Sequence, residues 1–572
     1  MRATIILFAH RPRPRSPRLA PASMYSYWKW LLFSYAYLIA VSSLLVPESV
    51  HVPRQNHRPR RSNSLPASQE CDVDVQTWPR YLVEFRGLCP GFRIDELRDA
   101  LSYVLRSRPV AARLAADIDF VVVDNEFDGQ PLCGYIRLPS DAVAQEVSNR
   151  CSCLRSIIQV WGEGKTPEAV RDEVMAQFGE VVRPHFPLAA TSAEREKNSW
   201  KIVFRRFGRS GRSGRDPEAK RLFLQTFNPI LTALEGDVNL TAPSHQLVYL
   251  EDWHSFHSTA VNYSAAGNLE GLPEYTPLNR FFGKIVGFGR EVQTDFSLNK
   301  RPFLGTTTLA PLPAHLCAAA AGIGPQSLVL DPFCGTGSIL VSCAALGSKV
   351  VGSDIDADCL GLATVRSDLD VRPLRERDRS KNVKLNKNRQ HASKRLGSPR
   401  LSASPDGAGL STPDNMQFYG LQDYLVGLLA RDVRDWLTPQ DSYGPFDAIV
   451  TDPPYNRRER AMGSEDAEEA AVTGPGGGGT YGGCVEVIRT LCDVACARLV
   501  PGGSLVFWFP SDAFVSADHV RSQLLETLSE EARALLSLER LNCEILHDKL
   551  WRWLVVYTLR DKVLTKVVEE QL

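Results

Sequence analysis

Asp452-Pro453-Pro454-Tyr455 follows the apolar run Phe446-Asp447-Ala448-Ile449-Val450. That run suits a buried parallel strand. Proline removes a backbone donor and fixes φ, so the strand must stop there. An acid and an aromatic ring are thereby presented on a stiff turn at the carboxyl end of a strand, where ligands sit in open α/β sheets. The chemistry this suits is methylation of a planar exocyclic amine, a poor nucleophile because its lone pair is delocalised. The Asp452 carboxylate and the Pro453 carbonyl can both accept its hydrogens, which orients it and favours the pyramidal, attacking geometry. Pro454 stiffens the turn, and Tyr455 offers a face to a base taken out of its own stack. Taken alone, the four residues also read as a bare strand-to-helix turn.

A second stretch narrows the choice. Leu328-Val329-Leu330-Asp331 runs into Pro332-Phe333-Cys334-Gly335-Thr336-Gly337-Ser338 and then a helical run, Ile339 to Leu346. Glycines let a backbone approach a ligand closely. The spacing is neither a dinucleotide fingerprint nor a phosphate loop. An acid ahead of the glycines repels phosphate and suits a ligand bearing an amino group. Lys349 to Asp354 is a further strand ending in an acid, roughly 20 residues on, the spacing that sets a carboxylate on a ribose diol. Strand, glycine loop, helix, strand and acid make a nucleoside-binding unit.

The elements that must position these groups alternate strand and helix. Ala310 to Ala321 reads as a helix before the glycine loop, and Leu421 to Leu429 as a helix before Asp432. Cys484 to Leu499 reads as a helix, Ser504 to Phe509 as a strand, and Glu526 to Leu538 as a helix. Two last strands are expected around Cys543–Leu546 and Trp553–Leu559. Residues 366–415 are rich in Arg, Lys, Ser and Pro and read as an insertion without core-forming residues. Residues 460–483 are acidic, then glycine-rich, and read as a flexible loop beside the site.

Upstream, Arg80 to Phe85, Phe120 to Val123, Cys133 to Leu138, Ser156 to Trp161 and Trp200 to Phe204 read as strands. Phe92 to Arg106, Asp141 to Arg150 and Pro217 to Ala233 read as helices, and Thr166-Pro167-Glu168 as a helix start. This is an α+β module. Arg205, Arg206, Arg209 and Arg212 fall in an expected Gly/Ser loop. They read either as a solvated surface or as contacts to a nucleic-acid backbone.

Formal net charge is zero over 572 residues, so any basic surface is local. The 13 cysteines lack paired Cys-x-x-Cys spacing. Reduced thiols are therefore expected, with no disulfide framework and no metal held by this chain. Residues 1–78 are set apart: arginines precede any acid, and Trp30 to Val46 is uncharged and mostly apolar. That run is short of the roughly 20 residues that span a bilayer. A targeting presequence, a signal-anchor and an upstream start ahead of Met24 are the three readings. The expected compartment is the cytoplasm, with organellar targeting left open.

Four motifs in order resemble the tRNA guanosine-10 N2-methyltransferase catalytic subunit family: FFGKIVGFGRE (Phe281–Glu291), RPFLGTTTL (Arg301–Leu309), DPFCGTGSIL (Asp331–Leu340) and DAIVTDPPY (Asp447–Tyr455). FRIDELRDAL and RCSCLRSIIQVWGEG upstream resemble it too. The resemblance implies a Rossmann-like class I methyltransferase sheet preceded by an α+β ferredoxin-like and THUMP tRNA-binding module. The expected division is 1–78, 79–260 and 261–572. It implies S-adenosylmethionine as cofactor, tRNA as substrate and a small zinc-containing activator subunit as partner. By resemblance, Asp331, Phe333, Gly335 and Gly337 cradle the methionine moiety, Asp354 holds the ribose, Asp432 accepts the adenine amine, and Thr307 faces the cofactor. Asp452, Pro453, Pro454 and Tyr455 hold the target guanine. Two departures concern loops: Asn456 stands where the family has glycine, and Thr306 where it has proline. The rival readings are an rRNA guanine-N2 or DNA adenine-N6 methyltransferase, and a binding protein that has lost catalysis. A DNA enzyme would carry a DNA-recognition domain in place of the upstream module, and an intact Asp452 turn argues against lost catalysis.

Overall fold

The computed structural model describes residues 78–106, 121–122, 126–127, 130–131, 133–207, 217–252, 277, 279–305, 307–362, 410–438, 443–455, 484–547 and 550–561. Residues 1–78 thus lie almost wholly outside the described residues, and so do Thr306, Asn456 and residues 460–483.

Among the described residues, two seven-stranded sheets carry the fold. The first takes β1 (Arg80–Phe85), β2 (Val121–Val122), β5 (Cys133–Arg137), β6 (Leu154–Gly164), β7 (Trp200–Phe207), β8 (His245–Asp252) and β9 (Asn279–Phe288), in the order β2-β5-β1-β6-β9-β8-β7. Between β2 and β5 lies a two-stranded hairpin, β3 (Glu126–Phe127) and β4 (Gln130–Pro131). Helices α1 (Arg93–Leu105) and α2 (Asp141–Ser148) close one apolar core over Tyr81, Val83 and Ile157. Helices α3 (Pro167–Ala176) and α4 (Pro217–Ala233) close another over Trp161, Leu247 and Phe282. The expected division at residue 260 separates β9 from this sheet, yet β9 pairs with both β6 and β8. Its alternating Phe282-Gly283-Lys284-Ile285 pattern completes the first sheet, so the join falls after Phe288.

The second sheet holds β10 (Leu328–Asp331), β11 (Lys349–Asp354), β12 (Leu425–Ala430), β13 (Phe446–Thr451), β14 (Leu499–Asp512), β15 (Leu536–His547) and β16 (Leu550–Leu559). Their order is β12-β11-β10-β13-β14-β16-β15. The first five are parallel, while β16 runs antiparallel to β14 and β15. Successive side chains of a strand point to opposite faces. Val329, Val350 and Ala448 therefore enter a core beneath α5 (Pro311–Ala320), α6 (Ser338–Ala345) and α7 (Thr412–Phe418). Leu330, Val351 and Ile449 enter another beneath α8 (Val485–Arg498), α9 (Ala517–Thr527) and α10 (Glu530–Leu535). Burial on both faces explains why these strands are continuously apolar.

Three expectations are corrected here. Leu421 to Leu429 is not a helix: after a short 3-10 turn, Leu425–Ala430 is β12, hydrogen-bonded to β11. A short apolar run fits either state, and the open edge of β11 decided it. Glu526 to Leu538 is not one helix. Ser516 and Ser529 accept from the His519 and Ala532 N–H groups and cap two helices, and Leu536 already begins β15. The insertion does not reach residue 415, because Thr412 and Asn415 are fully buried in and beside α7.

The sheets are joined by polar contacts. Arg540 of β15 makes a two-pronged ion pair with Asp99 of α1 at 2.9 and 2.7 Å. His315 of α5, fully buried, hydrogen-bonds the Arg150 carbonyl at 2.9 Å. Among the described residues no helix is long and apolar enough to cross a membrane.

Candidate active site

Four neighbouring parallel strands end in, or just before, an acid at their carboxyl ends: Asp331 closes β10, Asp354 closes β11, Asp432 lies past β12 and Asp452 past β13. The chain order reverses between β11 and β13 on either side of β10, which opens a crevice there.

Asp331 is buried, and its Oδ1 accepts from the Thr451 hydroxyl at 2.6 Å and the Phe333 N–H at 3.1 Å. Burial, helped by the charges of Asp354 and Asp452, pushes its carboxyl up to about 7. Gly335 and Gly337 have φ of 47° and 78°, left-handed values that favour glycine. The loop curls so that the Gly335 N–H donates to Asp354 Oδ2 at 2.9 Å, while the Asp356 N–H donates to Oδ1 at 2.9 Å. A methyl group on Gly337 would stand 2.7 Å from Thr412 Cγ2. The donor set fits S-adenosylmethionine: a buried carboxylate for an ammonium, open backbone at Gly335, and a second carboxylate with lone pairs left for hydroxyls.

Asp432 is less simply placed. Its Oδ1 accepts from the Arg434 N–H and Nε at 2.9 and 3.0 Å, and its Oδ2 from Nη2 at 3.0 Å. The Arg434 guanidinium holds its carboxyl below the usual range. Phe333 packs against the core under α8. Thr307 is exposed at a turn, and its neighbour Thr308 meets the loop through the Thr336 hydroxyl at 3.2 Å.

At the other turn Pro453 is buried and Pro454 half-buried. The Tyr455 hydroxyl donates to Asp452 Oδ1. Burial and the Asp452 charge push the Tyr455 hydroxyl well above its ordinary range. In this arrangement Tyr455 occupies one of the oxygens assigned to the target amine.

Arg205 and Arg206 are corrected. They lie in β7, not in a loop, and both are paired: Arg205 with Glu84 of β1, Arg206 Nε with Glu251 of β8 at 2.7 Å. Their charges hold strands together. Arg209 and Arg212 lie outside the described residues.

Residues 79–265 match the family described as the Tmrp11 THUMP N-terminal domain, and residues 299–469 the RMKL-like methyltransferase domain. The human protein named tRNA (guanine(10)-N(2))-methyltransferase TRMT11 is 27% identical over 392 residues, 66% of this chain and 70% of that one. Its counterpart from Rattus norvegicus is 28% identical over 386 residues, 66% of this chain and 69% of that one. The chain is thus similar, in its upstream module and in its methyltransferase domain, to the tRNA (guanine(10)-N(2))-methyltransferases. The crystal structure of TrmN from Thermus thermophilus is also similar, with 14% identity, TM-score 0.35, and coverage of 84% of this chain and 100% of that one.

The tertiary structure brings in residues that sequence reading passed over. Asn415, placed in the expected insertion, donates to the Phe303 and Thr336 carbonyls at 2.9 Å each and accepts from the Phe303 N–H. It ties the RPFLGTTTL stretch to the glycine loop. The buried Arg301 donates to the Ser338 hydroxyl at 2.5 Å. Thr451 holds Asp331, and the charge of Arg552, from β16, is felt at Tyr455 and Asp452. Asn415 had a local signal in the capping pattern at Ser411-Thr412-Pro413-Asp414, and Arg301 and Thr451 lie in recognised motifs; Arg552 had none.

Proposed function

We propose that the protein methylates the exocyclic N2 amine of a guanosine in tRNA, position 10 as in the relatives' name, using S-adenosylmethionine. The observation that carries this is the Asp452-Pro453-Pro454-Tyr455 turn, next to a nucleoside cradle made by Asp331, Gly335 and Asp354 and preceded by a THUMP-type module. Asp331 would hold the cofactor's ammonium and Asp354 its ribose hydroxyls. The bound cofactor supplies an electrophilic methyl on a sulfonium, so that one N–C bond forms as one C–S bond breaks. The residues of this chain do the rest. Asp452 and the Pro453 carbonyl accept the two amine hydrogens, and Asp452 offsets positive charge developing on nitrogen before the proton is lost. Tyr455 turns from Asp452 to stack on the extruded base. Phosphate contacts by arginine would fall to Arg209 and Arg212, since Arg205 and Arg206 are committed to ion pairs.

The activator subunit is part of the same proposal. It is supported by the family resemblance and by β12, an edge strand with Val426 exposed, which can take an added strand. Mass spectrometry of tRNA nucleosides from cells lacking the protein tests the reading. N2-methylguanosine should fall; an unchanged level would overturn it.

A further inference from the structure

We propose that α7 is the latch of the cofactor loop. Thr412 and Asn415 hold two successive peptides of that loop in the orientation that receives S-adenosylmethionine, and so act as positioning residues for the transfer. The inference rests on the methyl-transfer reading above and deepens its cofactor site. The loop turns on glycines at φ 47° and 78°, and glycine passes readily to other backbone conformations. With no side chain at either turn, the loop must be held from outside. Two neighbouring carbonyls of the loop are taken by α7. The Thr412 hydroxyl donates to the Gly335 carbonyl at 2.7 Å, and the Asn415 amide to the Thr336 carbonyl at 2.9 Å. In a trans peptide C=O and N–H lie on opposite sides. The N–H groups of Thr336 and Gly337 therefore turn away from α7, and that of Gly337 meets the Cys334 carbonyl at 2.7 Å. Turning either peptide over would set an N–H against a donor.

Both side chains are fully buried, and their own orientation is fixed. Asn415 Nδ2 gives its two hydrogens to the Phe303 and Thr336 carbonyls, and Oδ1 accepts from the Phe303 N–H. With the amide turned over, a donor would face the Phe303 N–H and an oxygen would face two carbonyls. The same amide thus joins the glycine loop to the stretch that begins at Arg301. That stretch is tied to the loop again further on, where the Ser338 hydroxyl donates to the Leu309 carbonyl at 2.8 Å. The Thr412 methyl lies beside Gly337, 2.7 Å from where a β-carbon would stand. The helix is itself anchored. Met416 enters the core beneath the sheet, and the Ser411 N–H and hydroxyl donate to Asp414 Oδ2 at 2.7 and 3.0 Å. A buried amide bonded on every side to backbone specifies one geometry, where an apolar side chain would only fill the space.

The test uses the full chain with its activator. Thr412→Val keeps the shape and removes the donor, and Asn415→Leu does the same for the amide. A loop that holds its receiving form only about 1–10% of the time binds more weakly by that fraction. S-adenosylmethionine affinity by calorimetry should therefore weaken about 10–100-fold, and KM for the cofactor should rise in step. Turnover at saturating cofactor should stay within about threefold, with KM for tRNA unchanged, because bound cofactor restores the loop. Thr412→Ser, which keeps the hydroxyl, should return affinity to within about threefold of the unaltered protein. In the free protein, the amides of residues 335–337 should exchange hydrogen about tenfold faster in Thr412→Val, with those of β13 and β14 unchanged. Unaltered affinity in both Thr412→Val and Asn415→Leu overturns the inference. So does a loss that serine does not repair, or one that spreads to β13 and to KM for tRNA. Should Asn415→Leu fail to fold, the valine and serine variants of Thr412 decide. If the unaltered protein binds no S-adenosylmethionine or forms no N2-methylguanosine, the methyl-transfer reading fails; if it does both and these variants behave otherwise, only the latch fails.

Discussion

Strand β10 runs into Asp331-Pro332-Phe333, and its neighbour β13 runs into Asp452-Pro453-Pro454-Tyr455. The strands are paired in parallel, Leu330 opposite Ile449, so the two acid-proline-aromatic turns stand side by side. Their surroundings differ. Asp331 is 1% exposed, bonded to a hydroxyl and a backbone N–H, with other carboxylates near it and burial pushing it up to about 7. Asp452 is half-buried, accepts from the Tyr455 hydroxyl and feels the charge of Arg552. Similar local sequences thus make two different sites, one acid buried among other acids and one half-exposed acid bonded to a phenol hydroxyl. Environments that set neighbouring acids apart commonly mark a division of labour.

The largest expected effect separates the two acids. Asp452→Asn loses the charge that offsets the developing cation and can present donors to a donor. Its single-turnover methylation should drop about 10²–10³-fold, with cofactor binding kept. Near-normal turnover, or loss of cofactor along with turnover, would erase the distinction between the turns.

Asp331→Asn should do the reverse. The amide can still accept from Thr451 and Phe333, but it no longer opposes an ammonium. Affinity for S-adenosylmethionine, read by calorimetry, should weaken about 10–100-fold, the range of one charge-assisted hydrogen bond. Intact affinity would move the ammonium site elsewhere.

The pH dependence sharpens the same point. Only the ionised carboxylate pairs with the ammonium, and Asp331 titrates at about 7 in the free protein. Affinity should be level above that pH and fall about tenfold per unit below it. A flat profile between pH 5 and 8 would show that Asp331 is ionised throughout.

The smallest effect is on stability. In the unfolded chain Asp331 titrates at about 4. Between that and about 7 the folded protein holds the extra proton, so this residue's contribution to stability falls as pH rises through the window. At pH 8 the free Asp331→Asn variant should therefore be more stable than the unaltered protein, by about 1 kcal/mol in chemical denaturation. Lower stability would mean that the carboxylate is needed by the fold.

The strand-loop-helix unit at Asp331–Leu340, the acid at Asp354 and the Asp452 turn were legible because each is local: a short apolar run, then residues that end it. Strand β12 was not, since Leu425-Val426-Gly427-Leu428-Leu429-Ala430 has no period and takes its state from the edge of β11. The arginines were misplaced because composition cannot separate a basic loop from a strand end. Arg205 and Arg206 find their acids in β1 and β8, far away in sequence.

The sequence by itself determined the strand ends, the acids they present and the glycines that let a ligand approach, because proline, glycine and apolar runs act over a few residues. Only the tertiary structure decided which acid is buried among others and which stays half-exposed beside a phenol hydroxyl. The Thr451 hydroxyl that bonds Asp331 comes from a strand 120 residues later in the chain. Burial and charge are set by what packs in three dimensions, and no spacing along the chain records it.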